Sequence, residues 1–186
     1  MDSGVAQAPI EDFDAYRHAL KARLNPTTGA LTNIYEQAKA NPKRMVFAEA
    51  EEDVALRAAI QYRDYGYGEP ILVGRTEKVL AKLKELGVDD SSDWIIENSN
   101  LSDKVPAMND YLYKRLQRRG YTERDVQRMV NQERNVFAAL LVALGHGEGM
   151  ITGLTRTYAQ TAREVARVID PKPGATQFGI HMMIGK

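Results

Sequence analysis

Hydrophobic and polar residues along this chain fall into two rhythms, and the change between them comes near residue 43. Before it, helical spacing covers Glu11–Leu24 and Leu31–Ala40, parted by Asn25-Pro26-Thr27-Thr28-Gly29. Proline lacks an amide hydrogen and disfavours helix at the residue before it, so the pattern predicts a break there. Met1–Ile10 is rich in small residues and reads as a linker or extended arm. From Lys43 onward, short apolar runs alternate with 3.6-residue periodicity. The runs predict strands at Arg44–Ala48, Pro70–Gly74, Trp94–Glu97, Gly149–Gly153 and Thr176–Ile184. Between them the periodicity predicts a helix after the acidic turn Glu49–Asp53, running to Tyr65, and others over Thr76–Leu86, Lys104–Arg119, Thr122–Asn131, Glu133–Leu144 and Ala159–Ile169. Thr76 is the expected cap of one helix and Gly87 its stop, while Gly120 and Thr122 mark a stop and a start.

Strand–helix–strand repetition of this kind predicts an α/β fold, a parallel sheet flanked by helices. The chain divides into a helical segment, 1–42, an α/β subdomain, 43–153, and a second, incomplete subdomain begun by 154–186. A final apolar strand followed only by Gly185-Lys186 reads as a cut within a larger fold.

Charge and composition narrow the function classes. Lys and Arg together number 25, as do Asp and Glu, so no global field favours nucleic acid or an anionic membrane. The chain has no cysteine, which excludes disulfides, thiolate catalysis and thiolate-bound metal and suits a reducing cytoplasm. No apolar stretch approaches membrane-spanning length, and the N-terminus carries no export signal pattern. His18, His146 and His181 lack partners at metal-ligand spacing, so no metal site is expected.

The most informative segment is Gly149–Tyr158. A predicted strand ends at Gly153 and feeds Thr155, Arg156 and Thr157 at a helix start. Helix-start amides lack intrahelical partners and sit at the positive end of the dipole, so the turn suits an anion. Thr155 and Thr157 can donate to oxygens, and Arg156 can grip a phosphate or carboxylate with its fork. The same residues also suit a plain turn in which Thr155 or Thr157 caps the helix. Glu49 stands at the end of the first strand, the edge where open α/β sheets place ligands. It equally suits a carboxylate answering a helix dipole. Gly145–Gly149 superficially resembles a nucleotide loop, but a helix precedes it and a strand follows, the reverse of the dinucleotide-binding order. Gly145 is better read as a helix stop. The arginines between Arg115 and Arg134 are interspersed with Glu123, Asp125 and Glu133 and read as a solvated face.

Several stretches carry a resemblance. Val136–Gly145, Gly149–Tyr158 and Val168–Gly174, together with Lys43–Glu52, resemble the phosphate acetyl/butyryl transferase family, in the form fused to the C-terminus of bacterial malic enzymes. Ser3–Ala6, Pro9-Ile10 and Phe13–Tyr16 resemble the connector from that enzyme's upstream domains, giving 1–42 its expected role. The resemblance implies an isopropylmalate-dehydrogenase-like fold with two α/β domains, and a cleft where coenzyme A and an acyl phosphate meet. It places Gly153, Thr155, Arg156, Thr157, Tyr158 and Glu49 at the acyl-phosphate or coenzyme A site. Free-standing transferases carry His-Ser-Thr where this chain has Arg156-Thr157-Tyr158, and a Gly where it has Ala50. His146 and Glu148 stand where Asp is typical. The implied role is an acetyl-CoA-sensing, oligomer-supporting regulatory module without turnover, a CoA thioester being its ligand, with no catalytic residue assigned in this chain. NADP and a divalent metal are expected only in the upstream malic enzyme part. The alternatives are a working transferase completed by another chain, and an inactive scaffold. Open strand edges and apolar surface also lead us to expect a homo-oligomer.

Overall fold

The computed structural model describes residues 26–180, together with residues 12, 13, 16, 17 and 20. Residues 41–177 form one compact unit, and residues 1–40 with 178–186 form another. The second unit contains helix α1, Pro26–Ala40. The expected break at Pro26–Gly29 is therefore not where the structure has it, because the helix begins on the proline itself. Proline at a first helical position loses no hydrogen bond, since that amide has no intrahelical acceptor. Most of the predicted Glu11–Leu24 helix lies outside the described residues.

The larger unit is a parallel sheet of four strands, β1 (Lys43–Phe47), β2 (Gly68–Val73), β3 (Ile95–Glu97) and β4 (Gly149–Ile151), in the order β3-β2-β1-β4. Every strand pair is parallel, with Val46 opposite both Ile71 and Met150. Helices α2 (Asp53–Asp64), α3 (Thr76–Glu85), α4 (Val105–Leu116), α5 (Glu123–Gln132) and α6 (Arg134–Ala143) make the connections, and α7 (Tyr158–Ala166) follows β4.

Alternation along the strands divides the core between the two faces of the sheet. Val46, Ile71 and Val73 pack with α4, α5 and α6, while Phe47 and Leu72 pack with Leu56 and Ala59 of α2 and Val79 and Leu83 of α3. Strands covered on both sides read as unbroken apolar runs, which is why β1 and β2 were visible in the sequence. Helix α6 is the most enclosed: Asn135 through Leu141 are all buried. Each large apolar side chain there contributes roughly 1.5–3 kcal/mol of burial.

Local chemistry sets the helix ends. Thr122 and Asp125 form a capping box at α5. After α6, the amide of Gly145 donates to Val142 O and that of His146 to Leu141 O, the paired bonds of a Schellman stop. Thr76 does not cap α3, because it is the first helical residue and Arg75 occupies the cap position. The last predicted strand fails as well. Residues 176–180 carry no strand, and 181–184 lie outside the described residues.

Gly68 starts β2 at φ +145°, and a Cβ there would sit 1.9 Å from the carbonyl oxygen of Lys43. Gly87 has φ +88° with open space around it. Gly87→Ala should therefore cost only left-handed backbone strain, about 1–2 kcal/mol. Gly68→Ala should cost about 3 kcal/mol or more, because backbone must move. Urea unfolding of the two variants checks the order, and equal midpoints would contradict it.

Candidate functional site

The strand order reverses between β1 and β4: the chain moves outward from β1 to β3, then returns to the other side of β1. Open α/β sheets place ligands in the crevice at the carboxyl ends of the strands at such a point. Glu49 leaves β1 there, and Gly153–Thr155 leave β4 there.

The two meet directly. The amides of Gly153 and Leu154 donate to Glu49 Oε2 at 2.9 and 2.7 Å, and the amide of Thr155 donates to Oε1 at 2.9 Å. The Thr155 hydroxyl also donates to Oε1. Gly153 adopts φ +113°, which lets successive amides converge. The turn thus holds an anion, and the anion is a carboxylate of the chain itself, held by the amides of Gly153, Leu154 and Thr155 ahead of the helix and not by helix-start amides with Arg156 and Thr157. Glu49 is 2 % exposed. Burial pushes its carboxyl up, but the Thr155 hydroxyl and the three amides outweigh this and hold it below the ordinary glutamate value.

The remaining predicted residues lie just beyond. Thr157 is the N-cap of α7, accepting from the amide of Gln160 at 3.4 Å, so the capping role falls to Thr157 and not to Thr155. Arg156 Nη1 lies 3.7 Å from Glu164 Oε1 and keeps a third of its side chain exposed. Tyr158 is exposed. Arg156 and Thr157 line an open depression of about 490 Å³ with Gln160, Arg163 and Arg167 of the α7 region. Glu133 and Glu164 line it too, so three guanidinium groups face two carboxylates. One of these pairs is tight, since Arg167 Nη1 donates to Glu133 Oε2 at 2.8 Å.

Sequence reasoning missed the polar network beneath this depression. Asn135, fully buried at the start of α6, accepts from the Thr152 hydroxyl at 2.6 Å and donates to Glu164 Oε2 at 2.7 Å. Gln160 Nε2 donates to the other oxygen of Glu164 at 3.2 Å. The available signal was a lone Asn opening an otherwise apolar helix. His146 lies in the loop before β4, at the opposite end of that strand. His18 and His181 lie outside the described residues. Among the described residues no group of three or more His, Asp or Glu could hold a metal ion, and no helix is long and apolar enough to cross a membrane.

An open parallel α/β sheet with a polar turn at its reversal point is an architecture shared by many enzymes that act on small molecules. The chain belongs to the phosphate acetyl/butaryl transferase family, whose sequence model matches residues 30–186. It is 46 % identical over 185 residues to the NADP-dependent malic enzyme of Rhizobium meliloti (strain 1021), covering 99 % of this chain and 24 % of that protein. The probable NADP-dependent malic enzyme of Rickettsia prowazekii (strain Madrid E) is 42 % identical over 188 residues, with 100 % and 24 % covered. A solved phosphotransacetylase from Streptococcus pyogenes superposes with a TM-score of 0.74 at 28 % identity, covering 81 % of this chain and 45 % of that one. The chain therefore spans about a quarter of the malic enzymes that it matches, and the matching segment is their phosphate-acetyltransferase-like part.

Glu49→Gln tests the cradle. An amide group would turn two donor hydrogens toward amides that now meet an acceptor, so the variant should lose about 2–4 kcal/mol at pH 7. A carboxyl held below its unfolded value stabilises the fold above that unfolded value, and loses the contribution as pH falls through the folded one. The gap between wild type and variant in urea unfolding should accordingly be full at neutral pH and shrink below pH ~4.5. A gap that stayed constant down to pH ~2 would show that the charge on Glu49 contributes nothing.

Proposed function

We propose that this chain is a regulatory domain of a malic enzyme that binds acetyl-CoA, or the related acyl phosphate, without turning it over. The observation that carries the reading is the Arg156 depression beside the occupied cradle. Arg156, Arg163 and Arg167 against Glu133 and Glu164 leave one positive charge in excess, on an open surface at the sheet's reversal point. Phosphate groups suit guanidinium forks of this kind. Arg156 and Arg163 are the available ones, since the contact of Arg156 with Glu164 is long and Arg163 is exposed with only a hydrogen bond to Ala159 O.

The same geometry argues against turnover. Acyl transfer between an acyl phosphate and coenzyme A forms a carbon–sulfur bond and releases phosphate through an oxyanionic intermediate. That intermediate needs hydrogen-bond donors that are not already engaged. The amides of Gly153, Leu154 and Thr155 are committed to Glu49. The Arg156-Thr157-Tyr158 sequence, in place of the His-Ser-Thr of free-standing transferases, points the same way. Oligomer support belongs to this reading too. Ile151 of the edge strand β4, Leu154 and Tyr158 are exposed together in sequence beside the site, and exposed apolar groups at a strand edge suit subunit contact. NADP and a divalent metal would belong to the malic enzyme domains outside this chain.

Calorimetric titration of the full chain with acetyl-CoA, followed by an assay for acetyl phosphate formation from acetyl-CoA and phosphate, separates the alternatives. Binding without product is the expected outcome, and Arg156→Ala should weaken binding by about tenfold. Product formation would establish the transferase completed by another chain, and neither binding nor product would leave a scaffold. Unchanged affinity in Arg156→Ala would remove the site from the turn.

A further inference from the structure

The inner wall of the Arg156 depression carries a carboxylate that reaches it from inside the fold. Glu164 keeps only 7 % of its side chain exposed, against 34 % for Arg156. Neutral donors hold both of its oxygens: Asn135 Nδ2 donates to Oε2 at 2.7 Å, and Gln160 Nε2 donates to Oε1 at 3.2 Å. Asn135 is itself fixed, because it is fully buried and accepts from the Thr152 hydroxyl. Glu164 is thus positioned by α6, α7 and the residue after β4, independently of Arg156.

Arg156 approaches this carboxylate from the solvent side. Its Nη1 stands 3.7 Å from Oε1, inside ion-pair range but beyond hydrogen-bond length. Among the described residues it is the only cation so close to Glu164, since Arg167 turns to Glu133 at 2.8 Å and Arg163 Nε donates to Ala159 O at 3.1 Å. The guanidinium and the buried charge therefore attract one another without a bond that fixes either. A carboxylate this far out of water is screened less than a surface group. An anion arriving at the outer side of Arg156 meets that field at short range, and shares the guanidinium with a charge already there.

We infer that Glu164 is an internal competitor for Arg156 that limits the affinity of this depression for phosphate-bearing ligands. That role rests on the ligand site proposed above, though not on acetyl-CoA as its occupant. Glu164 is a positioning residue in this scheme: it touches no ligand and acts through the guanidinium. A purely structural Glu164 predicts the opposite sign. Glu164→Gln keeps an oxygen for Asn135 and the shape of the side chain, and removes the charge. Structural damage weakens ligand binding, whereas loss of a competitor strengthens it.

Calorimetric titration of the full chain with inorganic pyrophosphate and, separately, with acetyl-CoA tests this role. Glu164→Gln should bind pyrophosphate about tenfold tighter than wild type. In an Arg156→Gln background the same change should gain only about twofold. Because Glu164→Gln alters a buried junction, a second measurement uses the unaltered chain. Saturating pyrophosphate should shift the side-chain amide of ¹⁵N-labelled Asn135, which is buried beyond the probe's reach, and should not do so in Arg156→Gln. Unchanged or weaker binding in Glu164→Gln, an equal gain with and without Arg156, or an unmoved Asn135 amide at saturation would overturn the role. So would an absence of pyrophosphate binding in both wild type and Glu164→Gln. Acetyl-CoA separates the two readings. Equal binding of it by wild type and Glu164→Gln leaves the acetyl-CoA reading intact and removes the competitor. The expected pyrophosphate responses, with no binding of acetyl-CoA, do the reverse.

Discussion

The carboxylate of Glu49 inside the Gly153–Thr155 turn is the contact on which this half of the structure depends. It joins the ends of β1 and β4 across more than a hundred residues of intervening chain. Without an anion, three converging amides and a hydroxyl would stand against one another around the buried position that Glu49 now fills. A buried carboxylate left without donors is strongly penalised, so the turn's shape and the carboxylate's position imply one another. The arrangement also fixes where β4 stops. Ala48 donates to Ile151 O, the strand then yields to Gly153, and α7 starts from Thr157.

A second set of contacts carries that constraint into the core. Thr152, one residue before the cradle, donates to Asn135, and Asn135 donates to Glu164 on α7. Asn135 opens the most buried helix of the fold, so the turn, α6 and α7 share one polar junction. Networks of this kind are favourable only when every member is satisfied. Glu164 meets that condition through Asn135 and Gln160, with Arg156 as a looser third partner. Removing a partner from a buried charge costs about 3–5 kcal/mol, far more than a surface pair contributes. The junction thus explains how an Asn and a Glu sit among apolar neighbours.

What the sequence revealed and what it hid divide along the line between local and distant chemistry. β1 and β2 stood out because both faces of the sheet are covered, and Val46 and Phe47 are buried on opposite sides. Thr122 with Asp125, and Gly145 after Leu144, mark helix ends by chemistry confined to a few residues. The Thr176–Ile184 run is apolar enough for a strand, yet residues 176–180 form none and Phe178 and Ile180 are exposed, since an apolar run supplies neither a pairing partner nor a surface to pack against. The Gly149–Tyr158 segment stood out as either an anion-holding turn or a plain helix cap, and Glu49 as a carboxylate at the sheet's edge. That each is the other's ligand could not be read from either segment, because only the parallel pairing of β1 with β4 brings them together. Asn135 and Glu164 were hidden for the same reason: each looks ordinary in its own helix.

In the proposed reading the filled cradle decides how a ligand could act. An acyl-CoA cannot use the amides that Glu49 holds, so its phosphates must engage the exposed guanidinium of Arg156. Arg156 is also the loosest partner of the buried Glu164, at 3.7 Å. An anion that draws Arg156 outward leaves Glu164 to Asn135 and Gln160 alone, which loads the junction at the start of α6. Ligand occupancy would then be felt in the central helix without any bond being made or broken, as a difference in charge pairing between two states. A transferase gains nothing from such a linkage, whereas a sensor requires one. On that reading the internal anion would occupy the donors that an oxyanion needs, and Arg156 would be the group that reports on a ligand through Glu164.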